Sequence, residues 1–351
     1  MYSTNAQNIR YFTNSRGDNR PVTVLKSVST ANPNVNANSR EPFRNVNNVS
    51  KNNGIFQTSA GVNLPTLRSS FNAKLFEIMS LEAQTRNLVF SPISLQSLLG
   101  FIFAMSDGKL YEELNLLLEL PNNGAYVSKI FENILQKSTL NTPPTTLIMA
   151  NKLYYDYRFG TVDPNVRFLA KNSFASELEE MDFGDSLRAA SIMNAWVSER
   201  TRNLIQNIVT PSSVARDTSA MLLNSIYFKS EWLIKFGIYD TEVQPFYVAR
   251  DRQVPVDMMY NEDVFRFNDF TEELQASVVE LPYNATELTM LLILPKDVAG
   301  LTQLERKLRH YDLETITRKL KRETVTVKLP KFKIEYETDM IETLQKVSVI
   351  M

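Results

Sequence analysis

The feature that most limits what this chain can fold into is a break in composition near residue 65. The first 65 residues hold 14 Asn, seven basic and two acidic residues, a net +5, which leaves −6 for residues 66 to 351. Apolar residues in that first segment follow neither a 3.6-residue nor a 2-residue period. The area it could bury is therefore too small to offset the entropy lost in ordering its backbone. A disordered, basic, Asn-rich tail over 1–65 and a folded body over 66–351 are expected. The body has room for a core: 43% of the 351 residues are hydrophobic, and folding a chain of this size removes roughly 75% of its extended surface from water.

What the chain lacks narrows the chemistry. Cysteine is absent, which removes disulfide frameworks, thiol nucleophiles and Cys-based zinc sites. The one histidine, His310, sits in Lys307-Leu308-Arg309-His310-Tyr311, a cationic setting ill suited to a proton relay, and is read as a surface residue. A Ser-His-Asp triad would have to use this ring. The ten glycines are too scattered to write a dinucleotide fingerprint or a phosphate loop. A net charge of −1 lacks the basic balance of a dedicated nucleic-acid binder. No apolar run approaches the roughly 18 residues of a membrane span. The expectation is a protein that is not an enzyme, with no metal, no cofactor and neither nucleic acid nor membrane as partner. The acidic stretch Glu177 to Asp185 interleaves Leu178, Met181 and Phe183, so it reads as an edge strand rather than as a glycosidase carboxylate pair.

Helical periodicity begins at Leu67 and runs to about Ala83. A short strand over Asn87 to Ser94 follows, with Ser91 as a cap and Pro92 opening a helix to about Met105. Helices are expected at Leu110–Leu120, Tyr126–Lys137, Val166–Phe174, Ser186–Ile208, Leu301–Tyr311 and Leu313–Lys321. Strands are expected at Thr145–Tyr155, Glu177–Phe183, Ser219–Phe228, Pro245–Val248, Gln253–Met259, Val264–Phe267, Ala276–Leu281, Leu288–Leu294 and Val325–Tyr336. Helices dominate early and strands late, which favours an α+β class over a doubly wound parallel sheet.

Several motifs then stand in a telling order. Asn87 to Ser94 resembles the Asn-x-x-x-Ser-Pro-x-Ser entry to helix B of the serpin family, the suicide inhibitors of serine proteases and their non-inhibitory relatives. Asn194-Ala195-Trp196-Val197 with Thr201 is similar to that family's helix F signature. Asn224-Ser225-Ile226-Tyr227-Phe228-Lys229-Ser230-Glu231-Trp232 is similar to its strand 3A signature. Glu280-Leu281-Pro282-Tyr283, Leu291-Leu292-Ile293-Leu294-Pro295 and Leu329-Pro330-Lys331-Phe332-Lys333-Ile334 follow in family order, so the likeness spans Leu67 to Met351.

The resemblance implies one domain of about nine helices and three β-sheets, with inhibition of a chymotrypsin-like serine protease by insertion of a cleaved loop into the largest sheet. Carried over position by position, Ser91, Ser94 and Asn224 would form part of the shutter, and Trp232 and Lys331 would lie at the breach. Two departures stand out: Met105-Ser106-Asp107-Gly108-Lys109-Leu110 replaces a Gly-rich turn ending in Thr, and Asn203-Leu204 replaces the usual Gly-Lys. The family would also continue past helix I with strand 5A, a hinge, the reactive loop and closing strands, none of which appears by Met351. A serpin fold incomplete at its C-terminus is therefore expected, not inhibitory as it stands, with a serpin-derived binding protein as the alternative. Resemblance points to an extracellular protein, with Asn48 and Asn284 as glycan acceptors; the absence of a signal peptide keeps a cytoplasmic one open. The cations Arg306, Lys307, Arg309, Arg318, Lys319, Lys321 and Arg322 are candidates for contact with a sulfated polysaccharide, the alternative being a solvated face.

Overall fold

A computed structural model describes residues 22–30, 70–83, 87–138, 140–284, 286–311, 313–332 and 335–350, and every statement below concerns these. Nine α-helices are described: α1 (Ser70–Ala83), α2 (Pro92–Met105), α3 (Gly108–Leu118), α4 (Gly124–Ser138), α5 (Pro164–Phe174), α6 (Ser186–Arg200), α7 (Leu301–Leu308), α8 (Leu313–Lys319) and α9 (Ile341–Ile350). Caps set three of their starts. The Ser91 Oγ accepts from the Ser94 amide at 3.3 Å with Pro92 in the first turn, Asp163 accepts from Asn165 ahead of Pro164, and Asp185 accepts from Arg188. Of the strand expected over 87–94 only an isolated bridge at Asn87 exists, because Ser91 uses its extended backbone to cap α2.

Eleven strands follow in chain order: β1 (Val22–Thr30), β2 (Leu140–Thr142), β3 (Thr145–Asp156), β4 (Ser176–Met181), β5 (Thr218–Lys229), β6 (Thr241–Ala249), β7 (Arg252–Phe270), β8 (Ala276–Pro282), β9 (Thr289–Pro295), β10 (Lys321–Pro330) and β11 (Glu335–Asp339). They form two sheets. The first has the order β11-β1-β5-β3-β2, with β4 also pairing β3; the second has the order β10-β7-β8-β9, with β6 also pairing β7. The 19-residue β7 runs through both parts of the second sheet, pairing β6 over residues 252–259, β10 over 258–267 and β8 over 266–270. Two of the three sheets expected from sequence are thereby joined along one continuous strand. The single strand expected over Val325–Tyr336 is divided between β10 and β11.

The first sheet is covered on both faces, which is why β3 and β5 read as near-continuous apolar runs. One core cluster packs Phe71, Leu75, Phe101, Phe103, Phe131 and Phe174 with their neighbours from α1 to α5 and α9. On the opposite face Tyr154, Met221, Leu223 and Tyr227 meet Met193, Trp196 and Val197 of α6. In the second sheet Phe270, Ala276 and Val278 pack beneath α7 and α8, and Met259, Phe265, Leu281 and Leu329 make a smaller cluster that Trp232 and Phe236 join. No described helix is long and apolar enough to cross a membrane.

One strand comes from the segment read as tail. Val22 to Thr30 lies between β5 and β11, antiparallel to β5 (Val22 opposite Tyr227) and parallel to β11 (Val22 opposite Glu335). Five of its nine residues, Val22, Thr23, Val24, Val28 and Thr30, are β-branched, which suits a pleated partner surface. The rest of residues 1–65 lies outside the described residues.

Helix α7 carries one polar side chain inward. Glu305 is 8% exposed, its Oε1 has no hydrogen-bond partner, and burial pushes its carboxyl up to about 7. A carboxyl whose pKa is higher in the folded state binds more protons there, so stability falls as pH rises between about 4.5 and about 7. Glu305→Gln should remove that slope and raise stability at pH 8 by about 2 kcal/mol, leaving it nearly unchanged at pH 4. Urea melts of both proteins at the two pH values measure this; equal gains at both would refute it.

Candidate functional site

Beneath the centre of the first sheet three side chains from different elements converge. Asn224 of β5 donates through Nδ2 to Ser94 Oγ of α2 at 2.5 Å and to Asn151 Oδ1 of β3 at 2.5 Å. Asn151 in turn donates to the Phe174 carbonyl at 3.2 Å. That carbonyl also receives the hydroxyls of Ser97, at 2.7 Å, and Ser176, at 3.0 Å. All of these side chains are at least nine-tenths buried. The arrangement follows from the register, which sets Asn151 opposite Asn224, while the Ser91 cap turns α2 so that Ser94 lies against them. Of the expected shutter residues, Ser94 and Asn224 thus touch directly, and Ser91 acts on Ser94 through the cap. Asn151, Ser97 and Ser176 are additional members; Asn151 and Ser97 hide within runs that read as plain strand and helix, and Ser176 falls between two expected elements.

The polar inventory of β5 is not fully used. Thr218, Asn224 and Tyr227 are each at most 1% exposed, and their Oγ1, Oδ1 and Oη have no hydrogen-bond partner. An unpaired buried polar atom costs about 1–3 kcal/mol. These positions stand opposite Thr30, Leu25 and Val22 of β1.

The helix F signature residues shape the turn after α6. Asn194 accepts from the amides of Ile208 and Val209, both at 2.9 Å, and donates to the Val209 carbonyl at 2.8 Å, which fastens that segment back on the helix. The Thr201 hydroxyl donates to the Val197 carbonyl at 2.7 Å and accepts from the Ile205 amide. The helix expected to run to Ile208 therefore stops at Arg200, where Arg202 and Asn203 take left-handed φ values of 52° and 61°. Asn tolerates this region better than most residues, and its Oδ1 also accepts from the Ser198 hydroxyl at 2.9 Å. Asn203→Ala should cost about 1 kcal/mol while Asn203→Gly stays near neutral. Thermal melts that rank the two variants the other way would refute this.

Trp196 donates through Nε1 to Glu177 at 3.2 Å and belongs to a network that binds α6 to the sheet edge. Lys152, 7% exposed, pairs with Glu177 at 3.3 Å and Glu179 at 2.7 Å and lies 5.4 Å from the Trp196 ring centroid; Arg200 also pairs with Glu177. Burial and the two glutamates push the neighbouring Tyr154 hydroxyl far up, so it stays protonated. Sequence reading missed this network because its members meet only through the parallel register that sets Lys152 beside Glu177.

At the end of the sheet, Trp232 stacks on Tyr283 at 4.6 Å and meets Phe236 edge-on. Lys331 is half-buried and donates its amide to the Asp257 carbonyl at 2.8 Å. Trp232 shares a cluster with Leu329 and Phe332, on either side of Lys331. Asn284 is half-buried and its carbonyl accepts from Thr145, while Asn48 lies outside the described residues. The basic cluster is mostly exposed, and part of it is engaged: Arg309 pairs with Glu77, and Lys319 with Glu273 at 3.2 Å. His310 is exposed and accepts from Arg309. Among the described residues no group of His, Asp and Glu could hold a metal ion.

Comparison with known proteins gives one answer at every level. A family model described as Serpin (serine protease inhibitor) matches residues 66–350. Serine protease inhibitor 42Dd of Drosophila melanogaster is 32% identical over 277 residues, covering 79% of this chain and 73% of that protein. The structure of cleaved Serpin 42Da superimposes with a TM-score of 0.73 at 30% identity, covering 79% of this chain and 74% of the other. That of uncleaved ovalbumin gives 0.74 at 26%, covering 81% and 76%.

Proposed function

The chain belongs to the serpin family, and on that premise we propose that residues 66–350 form the sheet-bearing body of a serine protease inhibitor, which works by strand insertion and not by catalysis. Loop insertion in serpins is a known case of strand addition to a sheet. The observation that supports this reading is the buried contact of Asn224 with Ser94 and Asn151 under β5. Small hydroxyls and amides in that place can exchange partners between two packings of the sheet while remaining mostly satisfied, which is what the shutter role of Ser91, Ser94 and Asn224 requires. Trp232 and the segment around Lys331 would guide the entering end of a strand. An extracellular site of action, with Asn48 and Asn284 as glycan acceptors, belongs to the same reading.

The 351-residue chain as it stands is proposed not to trap a protease, because β1 already occupies the place next to β5. Incubation with chymotrypsin, trypsin or elastase should therefore give cleavage products but no adduct on a denaturing gel. A covalent band at the summed mass with any of the three would overturn this. The occupied position next to β5 also favours a binding role over an inhibitory one for this form of the chain.

A further inference from the structure

At the end of the first sheet where β3 and β4 finish, a cavity of about 440 Å³ opens to solvent. Three stretches of chain build its wall: Asp156, Tyr157 and Arg158 where β3 passes into a short helical turn, Asp182 and Asp185 in the link from β4 to α6, and Arg216 just ahead of β5. The volume falls within the roughly 300–1,000 Å³ of small-molecule sites, but those are mostly apolar, and this wall is charged. Asp156, 2% exposed, is spent on Arg158: its Oδ1 accepts from the Arg158 amide at 2.9 Å and Nε at 2.6 Å, and its Oδ2 from Nη2 at 3.1 Å. Asp182 gives Oδ1 to the Gly184 amide at 2.8 Å and Asp185 gives Oδ1 to the Arg188 amide at 3.0 Å, so each is fixed by one oxygen and keeps the other. Arg216 is exposed and pairs with none of the described residues, and Tyr157 is 51% exposed.

The open capacity is thus carboxylate oxygens that only accept and guanidinium groups that only donate, beside one aromatic ring. An anionic ligand would meet the carboxylates of the wall, and a cationic one its guanidiniums. The group that suits both is a hydroxyl, which donates and accepts at once. Adjacent hydroxyls on a ring also match the planar fork of Arg, and the C–H face of a sugar ring packs on an aromatic face. We propose that this cavity is a binding site for a neutral carbohydrate: Asp182 and Asp185 accept from its hydroxyls, Arg158 and Arg216 donate to them, and Tyr157 stacks on the ring. The site is independent of strand insertion. It also differs in place and chemistry from the cationic residues on and around α7 and α8, which present one sign of charge and suit a sulfated chain.

The test applies the full chain to a microarray of immobilised neutral oligosaccharides, with heparin and other sulfated glycans on the same surface, and titrates the best neutral sugar in solution. Saturable binding of at least one neutral sugar is expected. Arg216→Ala and Tyr157→Ala, both at exposed positions, should each weaken it at least tenfold while leaving the thermal melt and any heparin signal unchanged. Asp182→Asn keeps an oxygen for the Gly184 amide and turns the other acceptor into a donor, so it should weaken binding with the turn intact. The same sugar should bind whether free or carried on a glycoprotein, and the deglycosylated carrier should not. Four results would overturn the proposal: no neutral sugar retained, retention only of sulfated glycans, equal binding by the variants, or binding to the carrier after its sugar is removed.

Discussion

Phe174→Ala lowers the stability of the chain by about 4 kcal/mol, the range found when a fully buried aromatic ring is removed from a core that cannot close around the gap. Phe174 is 0% exposed and its ring centroid lies 5.8 Å from that of Phe101 and 5.4 Å from that of Phe131. Its neighbours are held from two directions: α2 and α4 carry the rings, and the Phe174 carbonyl is fastened to the sheet by Asn151 and Ser176 and to α2 by Ser97. Little collapse is therefore available. Phe174→Leu, which keeps most of the volume, should cost about 1.5 kcal/mol. Chemical denaturation of both variants measures the difference. A loss below 2 kcal/mol for the alanine variant would mean that the helices can close on β3 after all, and the hydrogen bonds of Asn151 and Asn224 would then have to shift with them.

Gly100→Val should be nearly as damaging by the opposite route. A Cβ at position 100 would stand 2.6 Å from one carbon of the Phe131 ring and 3.1 Å from the next. That ring is 0% exposed and is packed against Phe174, so it has nowhere to retreat. Forcing methyl groups into such a place costs about 3 kcal/mol. The clash is with a side chain, which makes it relievable: Phe131→Leu in the same molecule should return at least half of the loss, although Phe131→Leu alone destabilises. A double-mutant cycle with no favourable coupling would refute the contact. Both changes lie under the same sheet, one emptying and one overfilling the space between α2, α4 and α5.

Much of this was legible in the residues themselves. The Ser91-Pro92 cap, the start of α6 and the apolar centre of β5 are local properties, and each appears where the pattern puts it. The order of the signature segments pointed to the family before any geometry. What could not be read depends on partners distant in sequence. The residues of β1 sit in an Asn-rich segment with little periodicity, and only the free sides of β5 and β11 make a strand of them. Asn151 looks like any polar residue inside a strand until the register sets it against Asn224. Lys152 and Glu177 carry opposite charges on different elements, and nothing local says that they meet. Glu305 lies in a helix whose other charged residues face water, so its burial is decided by how α7 settles on β8.

The pairing of β1 with β11 also sets an order of events during synthesis. Val22 leaves the ribosome well before its partner Glu335, so at roughly 10 residues per second the two are separated by about half a minute. β5 emerges earlier and offers β1 an incomplete pairing in the interval. Throughout that time one side of the nascent sheet is exposed to whatever extended chain is nearby, and contacts spanning so much sequence form slowly even after release. The yield of properly closed molecules should then depend on translation rate and on holdase chaperones more than on the equilibrium stability of the finished fold.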